Sequence, residues 1–301
     1  MNKRLQLFFA FAMLVMPQLL LADADDAPTM RFGSGMFGTL NSRSKYYSDW
    51  FPEPFRVEDT TIDNELRFDW EHDEAHGSTG DFLTAEVQKS VGILTFEIQA
   101  PYIMTTSGAG DEDDPGDASR SHRTQGFGTI ELGARVPLFQ YVSKSGFLDN
   151  SIGFSLEVGV PTNTVVGKNA ELTPGVFDDL AIGDHFSVQS LFSLSHTYGT
   201  VSTGRDSFQY GLAFAYAIED EDFSIPHVER LVPSMELVGN TALDGKTASS
   251  NALTGTAGGR AEFKPIGKLQ PTFGVGYIFP IDRGGREQLR WGIISSLVLE
   301  F

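Results

Sequence analysis

The sequence predicts an all-β protein, a transmembrane antiparallel β-barrel of about 12 strands of the bacterial outer-membrane type. Three observations predict it. The chain opens with a charged start, an apolar run and a small-residue site, as secretory leaders do. Alternation of apolar and polar residues then recurs from residue 65 onward with the period of two that a half-buried strand requires. Finally, residues 291–301 alternate and stop on Phe301, with Trp291, Ile293, Ser295, Leu297 and Leu299 on the greasy face and Gly292, Ile294, Ser296, Val298 and Glu300 on the mixed one.

Taken in order, residues 1–24 read as a signal peptide. Lys3 and Arg4 supply the positive start, residues 5–21 the apolar run, and Ala22-Asp23-Ala24 the cleavage site. A retained anchor is the competing reading, but Pro17 and Gln18 interrupt a run already short of the roughly 20 residues a spanning helix needs. No later stretch is as long and uncharged, so a membrane-embedded mature chain has to cross as a closed sheet, the other structure that satisfies every backbone group in lipid. Residues 25–62 form an N-terminal segment, rich in Gly and aromatics without a steady period. A periplasmic tail is the default expectation there, with a plug in the lumen or an extra strand as alternatives. Residues 63–301 are the barrel.

The first strand sets Leu66, Phe68 and Trp70 against Glu65, Arg67 and Asp69; the second sets Leu83, Ala85 and Val87 against Thr84, Glu86 and Gln88. The third opposes Leu94, Phe96 and Ile98 to Thr95, Glu97 and Gln99, the fourth opposes Ile130, Leu132 and Ala134 to Glu131 and Arg135, and the fifth opposes Phe154, Leu156 and Val158 to Ser155 and Glu157. A sixth is placed near 174–182, a seventh over 185–197, and a ninth and tenth near 234–240 and 254–264. The eighth carries Phe208, Tyr210, Leu212, Phe214 and Tyr216 outward, and the eleventh carries Phe273, Val275, Tyr277 and Phe279 outward. With the last strand this makes an even number, as single-chain bacterial barrels show. Short turns are expected near Ser90, Gly183 and Gly267, and long segments over 107–123, 161–172 and 241–251. Two connections, 137–150 and 219–230, are longer than the short-turn side predicts.

Composition agrees. Without cysteine the fold rests on pairing and packing. The net charge is −18, and removal of Lys3, Arg4 and Asp23 with the leader takes it to −19; such a chain repels nucleic acid. The 32 Gly, 24 Phe and 8 Tyr suit turns and interfacial aromatics.

Three segments carry a family resemblance: Glu97-Ile-Gln-Ala-Pro-Tyr102, Gly126-Phe-Gly-Thr-Ile-Glu-Leu-Gly-Ala-Arg135 and Glu157-Val-Gly-Val-Pro-Thr162. In them the chain resembles the transporter-like outer-membrane barrels of the phenol-degradation meta-pathway family. The pattern departs at Gly128-Thr129, where Gly-Asp is usual, and at Pro161-Thr162-Asn163, where Pro-Thr-Gly is usual. The resemblance implies a channel for passive uptake of small molecules, aromatic or hydrophobic ones included, in the bacterial outer membrane. Its partners would be outer-membrane lipids and lipopolysaccharide, the barrel-assembly machinery and a small solute.

The candidate lumen-lining residues follow from the strand faces: Glu86, Glu97, Glu131, Arg135, Glu157, Glu236, Arg260, Glu262 and Arg290. Mixed charges around a wet lumen select solutes by sign and size; the alternative is a set of interior ion pairs filling a narrow barrel. Glu131 and Arg135, about 13 Å apart along one strand, must each pair with neighbouring strands, and Arg135 is expected to tie Glu97 and Glu157. Phe301 is the expected assembly signal. The acidic run 111–117 lacks EF-hand spacing and reads as a solvated loop. His72 and His76 are placed in a loop, so no metal site and no cofactor is expected. A lipid-modifying enzyme is the alternative function, since His185-Phe186-Ser187 has a hydrolase-like spacing, but the face assignment turns Ser187 toward the lumen. No catalytic residue is expected.

Overall fold

The computed structural model describes residues 31–32, 44–47, 50–58, 60–107, 122–162, 165–199, 206–245 and 250–301; the leader and the acidic run 111–117 lie outside them. Twelve antiparallel strands close into one barrel. They are β1 Glu65–Ala75, β2 Ser78–Val91, β3 Leu94–Ser107, β4 His122–Phe127 continued as Ile130–Val142, β5 Leu148–Val160 and β6 Ala170–Ile182. The second half comprises β7 Phe186–Tyr198, β8 Asp206–Tyr216, β9 Val228–Ala242, β10 Asn251–Phe263, β11 Gln270–Pro280 and β12 Trp291–Glu300. Each pairs with the next, and β12 closes on β1 with Trp291 opposite Glu74 and Glu300 opposite Glu65. β3 pairs with both parts of β4, which is therefore one strand interrupted at Gly128 and Thr129. Closure leaves no long free edge. All twelve predicted strands are present, the sixth included.

Two sequence expectations need correction. The connection over 137–150 is mostly strand, since β4 runs on to Val142 and β5 begins at Leu148. The register shifts between Pro137 and Phe139. Pro137 has no N–H for the ladder, and the extra residue after it reverses the alternation, so the buried positions pass from Arg135 and Pro137 to Gln140 and Val142. His72 lies within β1 and not in a loop, its Nδ1 2.9 Å from Asp81 Oδ1 on β2. The connection before β9 does stay long: Ile218–Glu219 pair with Arg230 and Leu231 and lead into a 3-10 turn, Asp220–Asp222.

The barrel has a turn end, where residues 92–93, 143–147, 183–185 and 264–269 join strands, and a loop end, where β3, β5, β7, β9 and β11 finish and residues 281–290 lie. Outward faces are apolar: Phe68, Ile98, Leu194, Met235 and Tyr277 are all exposed. An outward charge near mid-bilayer costs roughly 2–4 kcal/mol, and outward charges accordingly keep toward strand ends or find a partner. Lys89 lies near the turn end with its Nζ 5.9 Å from the Phe301 ring, and Asp178 accepts from the Asn150 amide.

At the loop end, residues Arg283–Gln288 form a short helix, α1. Asp282 caps it by accepting from the Gly285 N–H at 2.7 Å, and also takes the Leu253 N–H at 2.9 Å and the Asn251 amide at 2.7 Å, which ties α1 to the start of β10. Burial works to raise the Asp282 pKa, but these hydrogen bonds from Gly285, Leu253 and Asn251, with Arg286 nearby, hold it below the usual aspartate value. Behind α1, Leu289 is buried with Ile278, Ile294 and Phe55.

Candidate functional site

The lumen is occupied. The described residues between 44 and 63 form a strap that starts at the turn end, reaches its apex at residues 55–57 and returns to the turn end. At the outset Ser44 Oγ donates to Asp149 at 2.9 Å, and Lys45 reaches the Gly183 carbonyl and Asp184 in the turn between β6 and β7. Tyr46 stacks on Phe177, with centroids 6.3 Å apart and planes 9° apart, and meets Phe51 edge-on. The apex lies at mid-barrel, where Arg56 donates to Thr254 at 2.9 Å and stands 3.4 Å from Glu71. On the way back, Thr60 Oγ1 donates to Asp179 at 2.7 Å, and the Asn64 carbonyl accepts from the Phe301 N–H at 2.9 Å.

An irregular segment inside a barrel brings backbone groups that must find partners. Pro52 and Pro54 lower the demand, because neither has an N–H, and they stiffen the approach to the apex. Inward side chains meet the rest. Glu236, fully buried, accepts from three successive backbone N–H groups, those of Phe55, Arg56 and Val57. The Pro54 carbonyl receives both Arg67, at 3.0 Å, and Arg260. Arg67 also reaches the Phe55 carbonyl at 2.8 Å, and Arg230 reaches the Trp50 carbonyl at 2.7 Å. Hydrogen bonds to charged groups contribute about 1.5–3 kcal/mol each, so the charges lining the wall secure the strap.

The candidate residues divide into three groups. Glu236 and Arg260 hold the strap; Arg260 also lies over the Phe55 ring, 4.4 Å from its centroid. Glu97, Arg135 and Glu157 form an ion cluster with Glu58 of the strap. Arg135 pairs with Glu97, donates to Gln88 at 2.7 Å and stands 3.9 Å from Glu58, which lies beside Glu97 and Glu157. Register explains the reach: Glu97 sits opposite Gly133, where a Cβ would collide with its side chain, so it crosses that gap toward Arg135. Glu131 borders this cluster at half-burial, Glu262 pairs with Arg230 at 2.6 Å, and Glu86 accepts from Gln99 at 3.3 Å. Arg290 is the exception. Its side chain is 65 % exposed at the loop-end rim and 3.1 Å from Glu74, because β12 and its alternation begin one residue later, at Trp291.

The strap residues Glu53, Phe55, Arg56 and Glu58, and the wall residues Asp149 and Asp179, were not singled out in the sequence. A signal was there in inward-facing glycines, which in a strand mark close approach. A Cβ at Gly274 or Gly258 would meet the Phe55 ring at 2.7 or 2.9 Å, and one at Gly211 would meet Val57 at 3.0 Å. Burying a Phe contributes about 1.5–3 kcal/mol, and these glycines supply the space.

Above the apex lies a cavity of about 320 Å3. The strap gives it Phe55, Arg56, Val57 and Glu58, and the wall gives it Arg67, Asp69, Glu71, Phe82, Thr84, Glu86, Gln99 and Ile294. Ser187 and His185 lie elsewhere: Ser187 is buried on the inward face near the turn end, and His185 Nδ1 meets the Ala217 carbonyl at 3.0 Å.

No protein-family model matches the sequence, and no curated protein matches it. Solved structures do. The crystal structure of an outer membrane channel from Pseudomonas putida F1 is 14% identical, covering 83% of this chain and 100% of its own, with a TM-score of 0.53. The β domain of the Bordetella autotransporter Brka is 11% identical over 79% of this chain and 99% of its own, TM-score 0.42. LpxR from Salmonella typhimurium is 10% identical over 79% of this chain and 100% of its own, TM-score 0.41. At such identities the likeness to the channel is one of fold: this chain has the fold of a bacterial outer-membrane barrel.

Proposed function

We propose that the protein is an outer-membrane channel for small molecules, aromatic ones included, held shut by the strap. The observation that carries the proposal is how the lumen is filled. A barrel filled for stability alone needs only close-packed apolar side chains. Here the filling is a separate loop, held at its apex by charges, with a polar cavity above it. The fold likeness to the Pseudomonas putida channel and the resemblance to the phenol-degradation meta-pathway barrels support the same reading. In it the leader is cleaved, the turn end faces the periplasm, and lipopolysaccharide surrounds the loop end. The buried, inward placement of Ser187 supports a noncatalytic role over a lipid hydrolase.

Planar-bilayer conductance of the mature protein tests the proposal. Small or intermittent currents are expected, rising several-fold in Glu236→Ala. Silence of both proteins in folded form would overturn it, and ester hydrolysis lost in Ser187→Ala would favour the enzyme. For the assembly role of Phe301, Phe301→Ser should lower the yield of heat-modifiable barrel in the outer membrane; an unchanged yield would refute that role.

A further inference from the structure

We infer that the cavity above the strap apex is a binding site for a small organic cation, a primary ammonium on an aromatic or aliphatic body. The inference deepens the channel reading, and rests on it for how a solute reaches the cavity. At about 320 Å3 the space falls within the range of small-ligand sites. Its walls combine an apolar side, Phe82, Val57 and Ile294, with the carboxylates of Glu58, Asp69, Glu71 and Glu86.

The two arginines on the wall are already engaged. Arg67 is 2.7 Å from Asp69 and donates to two strap carbonyls, while Arg56 is shared between Glu71 and Thr254. Glu86 is the open valence. Its side chain is buried, its Oε2 accepts from the Gln99 amide at 3.3 Å, and no hydrogen bond reaches Oε1 among the described residues. That oxygen belongs to a carboxylate on the cavity wall and takes no donor from the protein among the described residues, so an ammonium can supply the donor together with the opposite charge. A carboxylate solute would meet a lining in which carboxyl groups outnumber the already engaged arginines, and a neutral one would leave that excess uncompensated. The apolar side takes the body of the solute, so the site selects an amine with a hydrophobic group over a bare ammonium ion.

Titration calorimetry on the full-length mature protein in detergent tests this, with 2-phenylethylammonium, 2-phenylethanol and phenylacetate as probes. The ammonium should bind at least tenfold more tightly than phenylacetate. Glu86→Gln should weaken it tenfold or more, and Phe82→Ala should weaken it independently, both variants first being shown folded by heat-modifiable migration. No measurable binding of the ammonium, equal affinity for phenylacetate, or unchanged affinity in both folded variants would overturn the site. Liposome flux is read separately. Saturable amine binding without passage upholds the site and counts against the channel, whereas passage that does not discriminate between amine and carboxylate upholds the channel and counts against the site.

Discussion

Where the strap passes, inward charges reach its backbone: Glu236 on three N–H groups, Arg67 and Arg260 on the Pro54 carbonyl, Arg230 on that of Trp50. Around the cavity, the same residue types meet side chains instead, as Arg56 does with Glu71 and Glu86 with Gln99. The difference teaches that a charged barrel wall has no single role. Where a polypeptide fills the lumen, the wall completes its hydrogen bonds; where nothing does, the wall keeps a wet, acidic space.

The sharpest way to break the contrast is to remove the carboxylate under the apex. Glu236→Ala leaves three backbone N–H groups without their acceptor, and it should loosen strap docking by about 4 kcal/mol. Limited proteolysis would then cut residues 44–63 at least tenfold faster while the strands stay protected; an unchanged cleavage rate would show that the strap is held by packing alone. Next comes Arg135→Ala, which strands the buried Glu97 beside Glu58 and should cost about 3 kcal/mol. Urea unfolding in lipid should report that loss, and the reversal potential across a salt gradient should shift toward cations. If neither moves, Arg135 is neither tie nor selectivity element.

The smallest effect belongs to the loop end. Asp282→Ala removes an N-cap and should destabilise α1 by about 1 kcal/mol, read as reduced exchange protection of amides 283–289 with the barrel unaffected. Because the folded pKa of Asp282 lies below its unfolded value of about 3.9, its contribution is complete above that value. It is lost as pH falls through the lower folded pKa. Protection of α1 should therefore weaken on acidification below about pH 4 in the native chain and not in Asp282→Ala.

The barrel was legible because lipid outside and polar side chains inside impose a period of two on every strand, as in Phe273, Val275, Tyr277 and Phe279. It blurred where a proline shifted the register, at Pro137. Most lumen candidates were legible for the same reason, and so was the tie between Arg135 and Glu97, which needs only neighbouring strands. What periodicity could not reach was the strap. Its residues have no repeat, and their partners lie far away in sequence, Phe55 on Glu236 and Thr60 on Asp179. Arg290 shows the opposite failure, alternation extended one residue beyond the strand that produces it.

Both described limits of the strap, Ser44 and Asn64, lie at the same opening of the barrel. The strap is therefore inserted and not threaded, like a bight of rope pushed into a pipe. Withdrawing it parts none of the twelve barrel strands from its neighbour. A pull from the amino-terminal side meets the anchors in turn, the pairing of Arg31 and Phe32 with Gln140 and Phe139, then Asp149, Arg230 and Glu236 at the apex, whereas a load from the loop end bears on the whole bight at once.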